Sequence, residues 1–197
     1  MNSEEKRMKI IETGAALIHE KGFNDTGLKE ILDIVGIPKG SFYYFFNSKT
    51  DFGLQVIEHF SGFFSGMAKK MLRTGEGSIL ERMESLFIFF EEYFENRNFT
   101  GGCPIGNLAQ EMGCHDDQFA ERLDLIFANM SNGIYHFLLE AEKAGEISQD
   151  KVSRDMSDFI LNSWEGTIMR MKVQRNLDLL QSWRKYICRK LLPVNNS

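Results

Sequence analysis

Residues 26–52 decide the fold, and they read Thr-Gly-Leu-Lys-Glu-Ile-Leu-Asp-Ile-Val-Gly-Ile-Pro-Lys-Gly-Ser-Phe-Tyr-Tyr-Phe-Phe-Asn-Ser-Lys-Thr-Asp-Phe. Apolar residues at helical spacing predict a helix that ends at Gly36, because glycine readily adopts the left-handed conformation that ends helices. Pro38 suits the first position of a following, very short helix, where its missing N–H needs no partner. Two short helices joined in this way predict a helix-turn-helix.

The short helix, from Lys39 to Phe45, would lie in the major groove of DNA in that arrangement. Helical spacing places the phenylalanines of the 42–46 stretch on one face, which leaves Tyr43 and Tyr44 on the other. The sequence also contains no acidic residue between Asp33 and Asp51, so this window can face phosphates without repulsion. A helical interaction module that docks a partner protein through the 39–49 surface is the alternative.

The next helix is predicted to begin at Ser48-Lys49-Thr50-Asp51, which has the form of a capping box. Its N-terminus would point at a phosphate, since unpaired N–H groups and the helix dipole favour an anion there. Thr26 is predicted to cap the second helix through its hydroxyl. The predicted DNA contacts are Thr26, Lys39, Gly40, Ser41, Tyr43, Tyr44, Ser48 and Lys49.

The rest of the chain also shows helical spacing and no strand pattern, which predicts an all-α fold. Besides the short helices, we expect helices over about 4–20, 48–72, 78–94, 104–112, 116–143, 149–175 and 177–192. The predicted domains are an N-terminal three-helix bundle with the helix-turn-helix over residues 1–48 and a helical effector-binding and dimerisation domain over residues 49–197. We expect the dimer seam on the last two long helices. Its predicted residues are Met156, Phe159, Ser163, Thr167, Met171, Leu180, Trp183, Ile187 and Leu191.

Composition places the chain among globular proteins, with 197 residues, 43% hydrophobic and 26% charged. The net charge of -5 argues against a protein coated in basic residues. No apolar stretch approaches the ~20 residues of a membrane span, and the charged N-terminus lacks the apolar region of a signal peptide. We therefore expect a cytoplasmic protein with no membrane partner and with reduced cysteines.

The 26–52 stretch resembles the DNA-binding signature of the tetracycline-repressor (TetR) family. The residues that fall on the family's pattern are Gly36, Lys39, Gly40, Tyr43, Phe46, Ser48 and Lys49. The resemblance implies a homodimeric transcriptional regulator, usually a repressor, that binds double-stranded operator DNA. It also implies that a small-molecule effector enters the larger C-terminal domain and releases the operator.

A narrower resemblance involves Pro38 to Tyr43, Ser48 to Gly53, Gly75-Glu76-Gly77 and Gly102-Cys103. These segments are similar to the family branch that contains the N-ethylmaleimide reductase repressor, an electrophile sensor. In that branch a cysteine at the position of Cys103 is the reactive one. The residues that follow Cys103 differ from that branch, beginning at Pro104.

Cys103 can be interpreted in two ways. A helix start at Pro104 would hold the sulfur near unpaired N–H groups and favour a reactive thiolate. However, no basic residue lies closer in sequence than Arg97, and free cysteine is often buried. A structural or pocket-lining role is therefore favoured over electrophile sensing.

An apolar effector could instead occupy a site between the helices, because aromatic bundle interiors can leave such sites. The candidate lining residues are Phe87, Phe90, Phe94, Met130, Tyr135 and Trp164. We expect no metal site, since Cys103, Cys114 and His115 have no fourth ligand at a zinc-like spacing. We expect no cofactor and no enzymatic activity, since the histidines lack a readable catalytic constellation and no base lies beside Cys103 in the sequence.

Overall fold

The computed structural model describes residues 2–194, and it is helical almost throughout. The helices are α1 (Ser3–Lys21), α2 (Leu28–Val35), α3 (Phe42–Phe45), α4 (Lys49–Thr74), α5 (Ile79–Asn96), α6 (Pro104–Met112), α7 (Asp117–Lys143), α8 (Arg154–Gln174) and α9 (Asp178–Tyr186). Short 3-10 turns cover Lys39–Ser41 and Gln149–Lys151, and a π-helical turn, Ile187–Leu191, follows α9. The all-α prediction is confirmed.

Packing divides the described residues into two compact units. The first unit contains residues 2–64 and 104–126, and the second contains residues 65–103 and 127–194. The chain passes from the second unit to the first at the peptide bond between Cys103 and Pro104. The functional boundary between residues 48 and 49 is a different kind of division, and it stays a prediction.

Aromatic rings form the core that holds the helix-turn-helix in the first unit. The ring centroids of Phe42, Phe46 and Phe52 lie 5.1 to 5.8 Å apart, and all three side chains are buried. Ile10 of α1 and Leu32 of α2 are also fully buried. Buried side chains of α1, α2, α3 and α4 thus contribute to the apolar interior of this unit.

Gly53 brings the first turns of α4 close to two other aromatic rings of the first unit. A Cβ atom at Gly53 would lie 2.5 Å from ring carbons of both Phe23 and Phe119. The centroids of those two rings are 4.9 Å apart. Glycine is thus the residue that allows this approach, because any side chain would force the rings away.

The second unit has its own core, in which α5, α8 and α9 meet around Phe87, Trp164 and Trp183. The three ring pairs have centroid distances of 4.8 to 4.9 Å. Such a tightly packed aromatic centre fixes the faces of three helices at once.

An ion network also joins α5 to α9 in the second unit. Arg184 donates two hydrogen bonds to Glu91, at 2.8 and 3.2 Å, and a third to Glu84 at 2.6 Å. Arg189 reaches the same Glu84. These carboxylates raise the pKa of the Arg184 guanidinium despite its burial.

Several predicted helix boundaries are confirmed, and others need correction. The predicted helix start at residue 78 is confirmed, because Ser78 and Glu81 form a full capping box. The helix predicted from about residue 149 begins instead at Arg154, because Ser153 caps it by accepting the Met156 N–H at 3.0 Å. The last predicted helix starts at Asp178 and ends in the π-helical turn.

Candidate functional site

The turn between α2 and the next helical segment is closed by backbone hydrogen bonds. Gly36 has a φ of 75°, which glycine adopts at little cost, and the Ile37 N–H donates to the Leu32 carbonyl at 3.0 Å. Pro38 precedes the 3-10 turn, and the Ser41 N–H donates to its carbonyl at 2.9 Å. The segment Lys39–Phe45 is thus a 3-10 turn that continues into α3.

This Lys39–Phe45 segment, which we call the recognition segment, has a buried face and an exposed face. Phe42 is 1% exposed, whereas Tyr43 is 66% and Tyr44 is 76% exposed. Lys39 and Gly40 are exposed as well. The predicted division into a phenylalanine face and a tyrosine face is confirmed, while DNA contact by the exposed face stays a prediction.

Thr26 differs from its prediction. Gly27 is the N-cap residue of α2, and Thr26 is fully buried. Its hydroxyl donates to the Gly22 carbonyl at 2.6 Å, and its N–H donates to the Phe23 carbonyl at 3.3 Å. The capping prediction is therefore wrong, because the side chain stabilises the turn between α1 and α2.

Lys49 lies half-buried at the start of α4, against the same turn. Its Nζ donates to the carbonyl oxygens of Phe23 at 2.9 Å and Asn24 at 3.4 Å, and it sits 4.7 Å from the centroid of the Phe23 ring. Burial lowers the pKa of Lys49, and the nearby charges of Glu111 and Asp25 partly offset this. Lys49 thus helps to fix the position of α4 against the turn.

Glu111 of α6 holds the turn from the other side, and sequence reasoning missed it. Its carboxylate accepts the N–H groups of Phe23 at 2.8 Å and of Asn24 at 2.7 Å. Gly22 has a φ of 92°, and a Cβ there would lie 2.9 Å from a Glu111 carboxylate oxygen. No local signal marks this contact, because the partners are 87 and 88 residues apart.

The start of α4 confirms half of the predicted capping box. The Asp51 N–H donates to the Ser48 hydroxyl at 2.9 Å. The Asp51 carboxylate accepts from the Asn47 N–H at 2.8 Å, and not from Ser48 as predicted. That bond lowers the pKa of Asp51, with further help from the side chains of Gln55 and Asn47. Ser48 is exposed next to this turn.

In the second unit, four of the predicted effector residues come together. Trp164 lies 4.9 Å from Phe87 and 6.3 Å from Phe90 between ring centroids, and Phe90 stacks on Phe94 at 6.4 Å. Met130 and Tyr135 lie outside this core cluster. The Arg154 guanidinium instead lies 4.1 Å from the ring centroid of Tyr135.

Cys103 is half-buried, and its thiol hydrogen-bonds to the carboxyl group of Glu165 on α8. Burial raises the pKa of Glu165, and the hydrogen bond from Cys103 opposes that rise. Cys103 also packs against the core cluster of the second unit. Sequence reasoning did not find Glu165, which is 62 positions away along the chain.

The other two cysteines have different surroundings. Cys114 is exposed, and Cys188 is buried. Burial, with the neighbouring Glu84 charge, raises the pKa of Cys188 to about 12. Within residues 2–194, no group of three or more histidine, cysteine or acidic side chains is placed to hold a metal ion. No helix among these residues has both the length and the apolarity needed to cross a membrane.

The predicted dimer seam is wrong for most of its residues, because they face the interior of the second unit. Met171, Leu180 and Ile187 are buried there. The Trp183 indole N–H donates to the Ser163 hydroxyl at 2.8 Å within the same chain. Of the predicted seam, Phe159 is 52% exposed. Met169 and Val173, which the prediction did not include, are also exposed on the same helix.

Comparisons with known proteins agree with this architecture. The family "Bacterial regulatory proteins, tetR family" matches residues 10–56, and "Tetracyclin repressor-like, C-terminal domain" matches residues 80–188. The chain is 32% identical to the transcriptional regulator AcuR of Cereibacter sphaeroides over 89% of this chain and 80% of that protein. It is 30% identical to the transcriptional repressor DhaR of Mycobacterium sp. strain GP1 over 95% and 92% of the two chains.

The crystal structure of reduced NemR from Escherichia coli has the same fold. It superposes with a TM-score of 0.87 at 21% identity, covering 98% of this chain and 99% of that one. The helix-turn-helix with its exposed tyrosine face, the separate helical unit and both family matches lead to one conclusion: the chain belongs to the TetR family of ligand-responsive, DNA-binding transcriptional repressors.

Proposed function

We propose that this protein represses transcription in the bacterial cytoplasm by inserting the recognition segment into the major groove of operator DNA, and that a small effector releases it. The observation that carries the proposal is the exposure of Tyr43 and Tyr44 beside Lys39 and Gly40. The buried face of this segment packs in the core of the first unit, so the exposed face is available for contact with DNA.

The recognition segment offers the groups that bind phosphates and base edges. Phenol hydroxyls, the Lys39 ammonium and the Ser41 hydroxyl are all donors. At Gly40 a Cβ would meet no protein atom within 4 Å, so no side chain stands between the backbone and DNA. Close approach of backbone to phosphate is a common use of glycine.

We assign phosphate contacts to Ser48 and Lys49. An ammonium has three N–H donors, and the carbonyls of Phe23 and Asn24 take two of those of Lys49. The third can reach a phosphate at the start of α4, where the helix dipole also favours an anion. We do not assign a contact to the Thr26 side chain, because it is buried.

We further propose that the effector is a small apolar molecule that binds the second unit noncovalently. The aromatic cluster around Trp164 supports an apolar binding site there. Cys103 is half-buried, hydrogen-bonds to Glu165 and packs against the core cluster of the second unit, which supports a pocket-lining role rather than a reactive one. Noncovalent binding is therefore favoured over thiol modification.

TetR-family regulators typically act as dimers, and we propose that two copies pair through α8. Five residues at spacings of three and four follow one stripe of this helix: Phe159, Asn162, Gly166, Met169 and Val173. Phe159, Met169 and Val173 are 50 to 81% exposed, and a Cβ at Gly166 would meet no atom within 4 Å. Such a stripe of apolar and small residues suits close packing against its own copy.

The DNA proposal is tested by fluorescence anisotropy with the native operator and with random duplex DNA. Tyr43→Ala should weaken operator binding by about 1 to 3 kcal/mol without loss of fold, and Lys49→Ala should weaken binding to both duplexes alike. Leu125→Ala, an exposed apolar side chain on α7, is the control and should bind like wild type. If Tyr43→Ala and Lys49→Ala both bind the operator as tightly as wild type, the proposed interface is wrong.

A further inference from the structure

One buried oxygen of the second unit is without a hydrogen-bond partner. Among the described residues, Glu165 Oε1 is the buried side-chain nitrogen or oxygen atom that has none. Burying a carboxyl oxygen in this way costs free energy, because water would have solvated it in the unfolded chain. Buried polar atoms in native structures usually have a hydrogen-bond partner from the protein or from an ordered water, so this oxygen calls for an explanation.

The loop before α6 covers this carboxyl group. The Cys103 thiol hydrogen-bonds to it. The preceding residue, Gly102, is buried and has a φ of 78°. A Cβ at Gly102 would lie 2.9 Å from Cδ of Lys172 and 3.1 Å from Cγ2 of Ile168. The Gly102-Cys103 segment therefore runs along the α8 stripe formed by Glu165, Ile168 and Lys172.

Cys103, which hydrogen-bonds to Glu165, packs against the apolar core cluster of the second unit. Ile168 belongs to that cluster. So does Trp164, which precedes Glu165 in the chain. The thiol hydrogen bond leaves Oε1 unpaired. The complement of this oxygen is an N–H or O–H donor on an otherwise apolar molecule.

We propose that Glu165 Oε1 is the polar anchor of the effector site and that the effector is a small apolar molecule with a hydroxyl or N–H group. This inference rests on the proposed effector role of residues 65–103 and 127–194. Because the donor bonds directly to Oε1, the anchor selects molecules by the presence of one donor and not by electrophilic reactivity. Cys103 is then a positioning residue, since its thiol holds the Glu165 carboxyl group in place.

The test uses the full chain and two matched probe pairs, benzyl alcohol with toluene and cyclohexanol with methylcyclohexane. Each pair keeps nearly the same apolar body and differs in the hydroxyl donor. In wild type, the dissociation constant measured by ligand-observed NMR should be about tenfold lower for each alcohol than for its hydrocarbon partner. The preference should fall to less than about twofold in Glu165→Met, which lacks an acceptor oxygen.

Two further variants separate the anchor from general packing. Glu165→Gln retains an acceptor oxygen and should keep a preference for the alcohols. Cys103→Ser retains a donor to the carboxyl group and should also keep it. Equal binding of alcohol and hydrocarbon to wild type, no binding of either alcohol, or an unchanged preference in Glu165→Met would overturn the proposal.

The same probes distinguish failure of the anchor from failure of the effector role. An alcohol that binds through Glu165 is added to the complex of protein and operator, and release is followed by anisotropy. Release in wild type but not in Glu165→Met supports the anchor as part of the effector site. Release that persists unchanged in Glu165→Met overturns the anchor while the effector role stands. If the alcohol binds in a way that depends on Glu165 but the operator is not released, the anchor stands and the effector role is contradicted.

Discussion

At the scale of single residues, Asp51 ties the start of α4 to the loop before it through the Asn47 N–H. Folding lowers the pKa of Asp51. Its carboxylate therefore stabilises the fold at pH values above the unfolded-state pKa of about 3.9. This contribution is lost as the pH falls through the lower, folded-state pKa. We therefore expect Asp51→Asn to be less stable than wild type at pH 7.

Urea unfolding at a series of pH values measures this difference. The stability gap between wild type and Asp51→Asn should begin to narrow below about pH 4 and should close as the pH falls through the lower, folded-state pKa of Asp51, below which both side chains are uncharged. Asp33→Asn changes an exposed aspartate at the end of α2 and serves as the control. A gap of the same size from pH 7 to pH 3 would show that the charge of Asp51 is not responsible.

Cys114 and Cys188, the two cysteines outside the proposed effector site, should differ sharply in reactivity. Cys114 is exposed, whereas Cys188 is buried and its pKa is raised to about 12. Because the thiolate is the nucleophile, iodoacetamide at about pH 8 should modify Cys114 and leave Cys188 intact in the folded protein. Mass spectrometry of peptides checks this. Modification of both at similar rates without prior unfolding would contradict the burial of Cys188.

At the scale of helices, the ion network of Arg184 links α9 to Glu84 and Glu91 of α5. The Glu91 carboxylate is buried with it, so removing the arginine leaves an unpaired charge in the core. We expect Arg184→Met to lose about 3 to 5 kcal/mol in the free energy of unfolding. Urea unfolding followed by circular dichroism measures this loss.

An exposed ion pair provides the matched control for that measurement. Arg122 pairs with Glu58 on the surface of the first unit, where each side chain is more than 40% exposed. Arg122→Met should therefore cost no more than about 1 kcal/mol. The double variant Arg184→Met, Glu91→Leu should recover part of the loss, because no buried charge remains. Equal losses in the two single variants would refute the account.

Elements that depend on neighbouring residues could be predicted from the sequence. Gly36 and the box from Ser78 to Glu81 use partners within five positions, so their helix ends are visible locally. The buried and exposed faces of the recognition segment follow from helical spacing alone. Contacts such as Glu111 with the Phe23 N–H join residues 88 positions apart, and no local pattern signals them.

The error in the dimer seam has a related physical cause. Both faces of α8 carry apolar residues at helical spacing, because one face packs in the core and the opposite face is exposed. Periodicity shows that Met171 and Val173 are apolar but not which of them is buried. Tertiary packing decides this, and Met171 is fully buried whereas Val173 is 81% exposed.

At the scale of the whole molecule, dimerisation through α8 should depend on its exposed stripe. Phe159→Asp and Gly166→Arg both introduce charge where we propose that two copies meet, so each should shift the protein to monomer at micromolar concentration in sedimentation velocity. Helical content should not change, because Phe159 is exposed and a Cβ at Gly166 would meet no atom within 4 Å. Leu125→Asp is the control on α7. Dimers that persist in both stripe variants would place the interface elsewhere.

We propose that a dimer of this protein binds a specific operator sequence, and selection of bound fragments from the host genome can test this claim. The purified protein is mixed with sheared genomic DNA, and the bound fragments are recovered and sequenced at increasing salt. We predict a shared palindromic site with half-sites centred about 10 base pairs or a multiple of that apart, and affinity that falls steeply with salt. Fragments without a common palindrome, or retention that does not depend on salt, would contradict the claim.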